Sequence, residues 1–431
     1  MLKYLSVLLT GIVVSLFYFP ITLGPLPKSI NTKMILAVVG GLIFVFRRLE
    51  RKDIFVPKQI FWLSLLSVVV SLVGLVSVVC NGTSDLAYAT YFLSMWVWLA
   101  AAYAVICIIN ATHKSVNVTL VSKYLIAVCL FQCIIAQIID VSPVVASFVK
   151  SLTGDNKAWL ESVNRLYGIG AELDTAGIRF SLALVLSAFL AMRCTKIKNM
   201  LAYVCVFVLI TVLGSMVART TYVGTIIGLL YLAVESDVWR LKLKNSMAKI
   251  LGVLIILLII LVPIAVYQYN VNPRVYKLLR FAFEGFFNLY ETGEWSLASN
   301  EKLKTMIVFP ETLKTWIIGD GYFSNPYNTD PYYVGDYVEG WYMGTDIGYL
   351  RFIFYFGVTG LISFVVFIIY SAKLCWSAFD EYSIMFMMLL LVGLVVWFKV
   401  STDIFLVFAL FISLSLLNRS QEDFALLNRC K

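Results

Sequence analysis

Long apolar runs broken by short polar segments dominate the chain. A helix needs about 20 apolar residues to cross the hydrocarbon of a bilayer. On that rule, spans fall near 4–23, 31–46, 60–80, 87–109, 120–140, 176–193, 200–217, 220–235, 249–269, 346–370, 384–399 and 401–417, about twelve in all. The pattern predicts an all-α polytopic membrane protein in which residues 1–431 form a single integral membrane domain. Two polar stretches are longer than a helical hairpin requires: a medium loop over 141–175 and a large one over 270–345. Long structured loops are uncommon and usually functional. Both loops are expected to carry short interfacial helices and the chemistry of the protein.

Lysine and arginine in the short loops orient the spans. "RRLERKD" (47–53), "RCTKIK" (193–198) and "WRLKLKNSMAK" (239–249) fall on one side together with both termini, whereas the connections at 24–30 and 81–86 carry only Lys28. The basic side is predicted to be the cytoplasm, so the two long loops face outward. Between Leu201 and Val234 the only charge is Arg219, in "LGSMVARTTYVGTIIGLL". At the bilayer centre it would cost roughly 2.5–3.5 kcal/mol. The predicted topology puts it at an outer turn instead. Two readings stay open there: snorkelling to the interface, or a charge held in a buried or water-filled site.

Composition agrees with the pattern. Hydrophobic residues make up 61% and charged residues 14%, against about 45–50% and about 25% in a soluble domain; mean hydropathy is +0.89. The net charge of +9 comes with no basic helix or aromatic-basic module, so no nucleic-acid partner is expected. Eight cysteines, mostly inside apolar runs and never in CxxC spacing, read as small buried hydrophobes. The single histidine, His113, has no Cys or carboxylate neighbour at metal-ligand spacing, and no P-loop, GxGxxG, GxSxG or HExxH motif is present. No metal or other cofactor is implied.

Three stretches of the outer face hold candidate chemistry. In "RLYGIGAELDTAGIRF" (165–180) lie Arg165, Glu172, Asp174 and Arg179, and Arg179 needs a partner because it lies just inside a span. A structural ion pair and a ligand contact are equally compatible with that. "NPRVYKLLRFAFEGFFNLY" (272–290), taken as one helix, aligns Arg274, Lys277, Arg280, Glu284 and Asn288 in a polar stripe, with phenylalanines over much of the rest. Such a helix lies in the membrane interface. Its cations are either simply solvated or matched to a phosphate-bearing headgroup, since guanidinium forks meet phosphate oxygens two at a time. The third stretch, 319–352, is rich in Tyr and Asp and includes Asp336, Glu339, Trp341, Asp346, Tyr349 and Arg351. Rings interleaved with carboxylates suit a sugar ligand, although a headgroup-level aromatic belt is the alternative. Asp346 is either a helix cap or a general base raised in pKa by partial burial.

With "RLYGIGAELDTAG", "VARTTYVG", Arg274 eleven residues before Gly285, and "DIGYL" followed by Gly357 and Gly360 in view, the chain resembles a Wzy-type polysaccharide polymerase of the O-antigen polymerase and ligase superfamily. The resemblance covers nearly the whole chain at the level of topology. It implies an inner-membrane bacterial protein that joins undecaprenyl-pyrophosphate-linked repeat units at the periplasmic face, with lipid-linked glycans as donor and acceptor. It also implies a chain-length regulator and a flippase as partners in the membrane. A hydroxyl of the acceptor unit attacks the anomeric carbon of the donor with inversion, and lipid pyrophosphate leaves. On this reading Arg219, Arg274 and Arg280 stabilise the leaving group and Asp346 is the base. Arg165, Arg179, Arg351, Tyr349 and Trp341 contact substrate, with Glu339 or Asp336 as the alternative carboxylate. The related ligases use a histidine in the large loop; here Asp346 takes its place, which favours polymerase over ligase. A lipid-linked oligosaccharide flippase is the rival from another class, but no internal repeat supports it.

Overall fold

The computed structural model describes residues 2–23, 27, 30–51, 57–153, 165–236, 245–328, 330, 333–335 and 340–429. They form an all-helical protein. In chain order come α1 (Leu2–Tyr18), α2 (Thr32–Arg51), α3 (Lys58–Asn81) and α4 (Tyr91–His113). Next are α5 (Val118–Val141), α6 (Pro143–Thr153), α7 (Leu173–Arg193), α8 (Ile197–Val217), α9 (Thr221–Glu235), α10 (Asn245–Val271), α11 (Pro273–Ala282) and α12 (Glu284–Thr292). The remainder are α13 (Ala298–Thr305), α14 (Leu313–Ile317), α15 (Gly348–Ala378), α16 (Ser383–Val396) and α17 (Phe405–Arg429).

Among the described residues, seven helices (α3, α4, α5, α7, α8, α10 and α15) are long and apolar enough to cross a membrane. The sequence pattern predicts about twelve spans, and part of the difference lies in short apolar helices such as α1 and α9. At 1.5 Å per residue the 15 residues of α9 reach about 22 Å, less than the roughly 30 Å of hydrocarbon. Both α1 and α9 are apolar helices shorter than the seven.

The chain divides into two compact units. Unit one comprises Met1–Leu36, Val105–Ser296 and Tyr382–Val392; unit two comprises Ala37–Ala104, Leu297–Glu381 and Gly393–Lys431.

In unit one, α7 and α9 approach closely because small residues recur at four-residue spacing on both. Gly177 and Ser181 line α7, and Gly224 and Gly228 line α9. A Cβ at Gly224 would lie 2.1 Å from the Cα of Ser181, so no larger residue fits. The Ser181 hydroxyl donates to the Thr220 carbonyl (3.0 Å) and accepts from the Gly224 N–H (3.1 Å). This packing anchors the three-residue turn, 218–220, that joins α8 to α9. On α5, the buried Gln132 amide pairs with the backbone of Ile169 as a neighbouring strand would. It accepts from the Ile169 N–H (2.9 Å) and donates to its carbonyl (3.0 Å). The extended segment leading from Arg165 into α7 is thereby held against α5.

Unit two is organised around a break in α15. Phe356 and Gly357 leave helical geometry, and Gly357 adopts φ 70°, a conformation that favours glycine. The carbonyls near the break do not stay unpaired: Phe354 accepts from the Asp320 N–H (2.6 Å) and Tyr355 from the Gly321 N–H (3.0 Å) and the Ser77 hydroxyl (2.6 Å). A break in an apolar helix is tolerated where such partners stand ready. Rings of Tyr88, Phe352, Phe356 and Phe364 pack beneath it.

Candidate functional site

At one end of unit one, four separate stretches converge: the C-terminal end of α5, the segment from Arg165 into α7, the α8–α9 turn, and the α11–α12 pair. Arg219 leaves its turn to ion-pair with Glu284 at the start of α12, and its side chain is 12% exposed. The next residue, Thr220, donates its hydroxyl to Asp174 in the first turn of α7. The Arg219 guanidinium carbon stands 4.6 Å from the centroid of the Phe281 ring, and that of Arg165 stands at the same distance from the same ring. The two cations therefore lie no more than about twice that distance apart. Such a pair repels by about 2 kcal/mol at a protein-like dielectric, which Asp174 and Glu284 offset. Burial, aided by the charge of Arg219, holds the Arg165 guanidinium below the ordinary arginine range, while Asp174 and Glu284 act in the opposite sense.

Arg274 shares a face of α11 with Phe281, because seven residues are almost two full turns. Its Nε pairs with Asp140, and its Nη2 donates to the carbonyl (3.0 Å) and Oε1 (3.2 Å) of Gln137. A cation there complements the carbonyl end of α5. Asp140, Lys150, Arg165 and Tyr167 line a cavity of about 360 Å³ between α5, α6 and the extended segment. Arg165 thus belongs both to the Phe281 group and to the cavity wall.

Other candidates go elsewhere. Phe283 lies outside helical geometry, so the polar stripe expected over 272–290 is split between α11 and α12. Arg280 points away from the Arg274 face: it pairs with Glu291, lies 5.0 Å from the Phe287 ring centroid, and is held above its ordinary pKa by the Glu291 carboxylate. Arg179 lies over Phe19 (5.1 Å) and Tyr18 (6.0 Å) near the end of α1.

The unit-two candidates are built into the fold. Arg351 is 3% exposed, with its guanidinium carbon 3.9 Å from the centroid of Phe323 and 3.8 Å from that of Trp341. Its terminal nitrogens donate to the Ser401 hydroxyl (2.6 Å) and the Phe323 carbonyl (3.0 Å). Asp346 and Asp85 are the carboxylates whose charge bears on it. The N-cap of α15 is Ile347, with no side-chain cap bond, so Asp346 stands one residue ahead of the cap position. Tyr349 donates to the Leu394 carbonyl (2.8 Å) and packs on Trp397 and Phe398. Asp320 and Asp330 accept from the hydroxyls of Thr315 and Tyr322 (2.8 and 2.7 Å). Asp336 and Glu339 lie outside the described residues.

Sequence reasoning did not identify the anionic half of the unit-one group. In the sequence, Glu284 is one member of the polar stripe over 272–290, and Asp140 is not singled out. Their actual partners are Arg219 and Arg274, 65 and 134 residues away in the chain. Among the described residues no cluster of His, Cys, Asp and Glu is suited to hold a metal ion. What the group offers is paired guanidinium donors, a ring surface and a polar cavity: an arrangement for an anion such as phosphate. No protein-family model matches the chain at a significant level, and neither does a curated protein or a solved structure.

Proposed function

We propose that this chain is a membrane-embedded glycan transferase of the Wzy polymerase type, joining repeat units carried on undecaprenyl pyrophosphate at the periplasmic face of the bacterial inner membrane. The observation that carries the reading is the convergence of Arg165 and Arg219 on the Phe281 ring, with Arg274 on the same helix face. Cations held in place before the reaction suit a leaving diphosphate, because its charge grows as the glycosidic bond breaks. In the step, the acceptor hydroxyl oxygen bonds to the anomeric carbon, the bond from that carbon to the diphosphate oxygen breaks, and lipid pyrophosphate departs. The hydroxyl proton passes to a base. The resemblance offers Asp346 for that role, one residue ahead of the Ile347 cap of α15.

Surface glycans of a deletion strain complemented with variants test the reading. Arg219→Ala is expected to leave single repeat units without polymer, although the protein still inserts. A normal ladder would remove the catalytic arginine. Complete absence of surface glycan, repeat units included, would point to a flippase instead. Asp346→Asn tests the base separately: loss of polymer at unchanged protein level is expected, and an active variant would end that assignment.

A further inference from the structure

The last two turns of α5 present different chemistry on opposite faces. Ile134, Ile138 and Val141, with Leu213 of α8, line an apolar groove of about 460 Å³ that also includes Gln137 and Arg274. Ala136, Ile139 and Asp140 line the polar cavity that holds Lys150 and Arg165. Positions two apart on a helix differ by about 200°, so groove and cavity lie back to back on α5. Ile134, Ile138 and Val141 are exposed and belong to a helix able to cross a membrane; in a bilayer the groove opens to lipid. One contact links the two sides. Arg274 lines the groove, Asp140 lines the cavity, and the two form an ion pair with side chains 36% and 39% exposed.

We propose that the groove holds the chain-proximal isoprene units of the lipid diphosphate, and that the Arg274–Asp140 pair is the gate its headgroup passes. The inference rests on the transfer reading above and names the route by which the lipid reaches the cations. Charge complementarity selects the occupant: an apolar slot ending in a guanidinium fits an amphiphile with an anionic head. The head displaces the Asp140 carboxylate from Arg274, because a diphosphate offers the fork more oxygens and more charge. It then lies beside Lys150 and Arg165. Asp140 is readily displaced, since a carboxylate at a helix C-terminus is opposed by the helix dipole.

The test uses the full-length protein in nanodiscs with a polyprenyl diphosphate carrying a diazirine in its first isoprene units. Peptide mapping after irradiation is expected to place adducts within 134–141 or at Leu213. Excess unlabelled polyprenyl phosphate should abolish them and excess phosphatidylglycerol should not. Ile138→Trp, which fills the groove, should lower labelling about tenfold, equivalent to about 1.4 kcal/mol of binding, while leaving binding of inorganic pyrophosphate unchanged. Asp140→Asn, a milder change, should raise affinity for the diphosphate several-fold by releasing the gate. Adducts confined to other helices, displacement by phosphatidylglycerol, or full labelling of Ile138→Trp would each overturn the proposal. Its failure stays separable from that of the transfer reading. An unlabelled groove with polymer lost in Arg219→Ala removes the route alone; a labelled groove with normal polymer in that variant removes the transfer reading and leaves a lipid site.

Discussion

Arg219 in unit one and Arg351 in unit two begin alike, each a guanidinium near the end of an apolar helix with an aromatic ring against it. They end differently. Arg351 is sandwiched between two rings, and its terminal nitrogens are taken by a hydroxyl and a carbonyl. Arg219 has one ring, one carboxylate and a second arginine over the same ring. A guanidinium whose hydrogen bonds go to neutral groups is tied to the fold. One gripped by a carboxylate, beside another cation, can exchange that carboxylate for a phosphate. On the proposed transfer reading, the partner, more than the depth of burial, separates the two cations.

The sharpest way to break this comparison is to truncate both residues and follow both properties. Arg219→Ala should lower polymerisation about 10²–10³-fold, the usual loss for a transition-state donor, with thermal stability nearly unchanged. Arg351→Ala should do the reverse. It leaves Trp341 and Phe323 without their shared partner and a void beneath them, a loss of about 3 kcal/mol or more read as a lower melting temperature and poor expression. Arg351→Lys should be almost as damaging, because an ammonium lacks the flat surface that two rings sandwich. An Arg351→Ala protein that folds normally yet makes no polymer would move Arg351 into the chemistry and dissolve the distinction.

A smaller effect tests whether the unit-one group depends on its scaffold. Gly224→Ala, the smallest change, places a Cβ 2.1 Å from the Ser181 Cα, so the helices must move apart, and overpacking of this kind typically costs about 1–3 kcal/mol. The strain falls on the α7–α9 contact, which carries Asp174 on one side and the Arg219 turn on the other. Reduced polymer, with the remaining protein still inserted and only modestly destabilised, is expected. Unchanged polymer length would mean that the turn is held by α11 and α12 alone.

How much of this was legible beforehand differs between the two regions. The helices were, because long apolar runs leave the backbone no alternative in a membrane. Arg219 was legible too, since a lone charge in an apolar run demands an explanation, and Arg165 and Arg274 were marked by their loops. What periodicity could not supply was the partner of each. The polar stripe at 272–290 assumed one continuous helix, and the break at Phe283 sends Glu284 to Arg219 and Arg280 to Glu291. In unit two, Trp341 and Tyr349 looked like sugar platforms by composition. Trp341 has the Arg351 guanidinium over its ring, and the Tyr349 hydroxyl donates to the Leu394 carbonyl, contacts that composition does not reveal. A ring's type is visible in sequence; which of its faces is already covered is a tertiary property.

The finest test concerns the carboxylate that marks Arg219 as exchangeable. Glu284→Gln keeps the size and one acceptor oxygen but removes the negative charge that offsets Arg165 and Arg219. If the pair is a placeholder for the ligand's phosphate, an incoming diphosphate no longer competes with a carboxylate, and its affinity should rise roughly three- to tenfold, about the worth of one partly exposed ion pair. Turnover should fall slightly in the same variant, because product diphosphate is also held more tightly. Binding of a polyprenyl diphosphate to the detergent-solubilised protein, measured beside polymer synthesis, reads both arms. Weaker binding would show that Glu284 positions Arg219 for the ligand instead of standing in for it, and the unit-one cation would then sit closer to Arg351 in kind than its partner suggests.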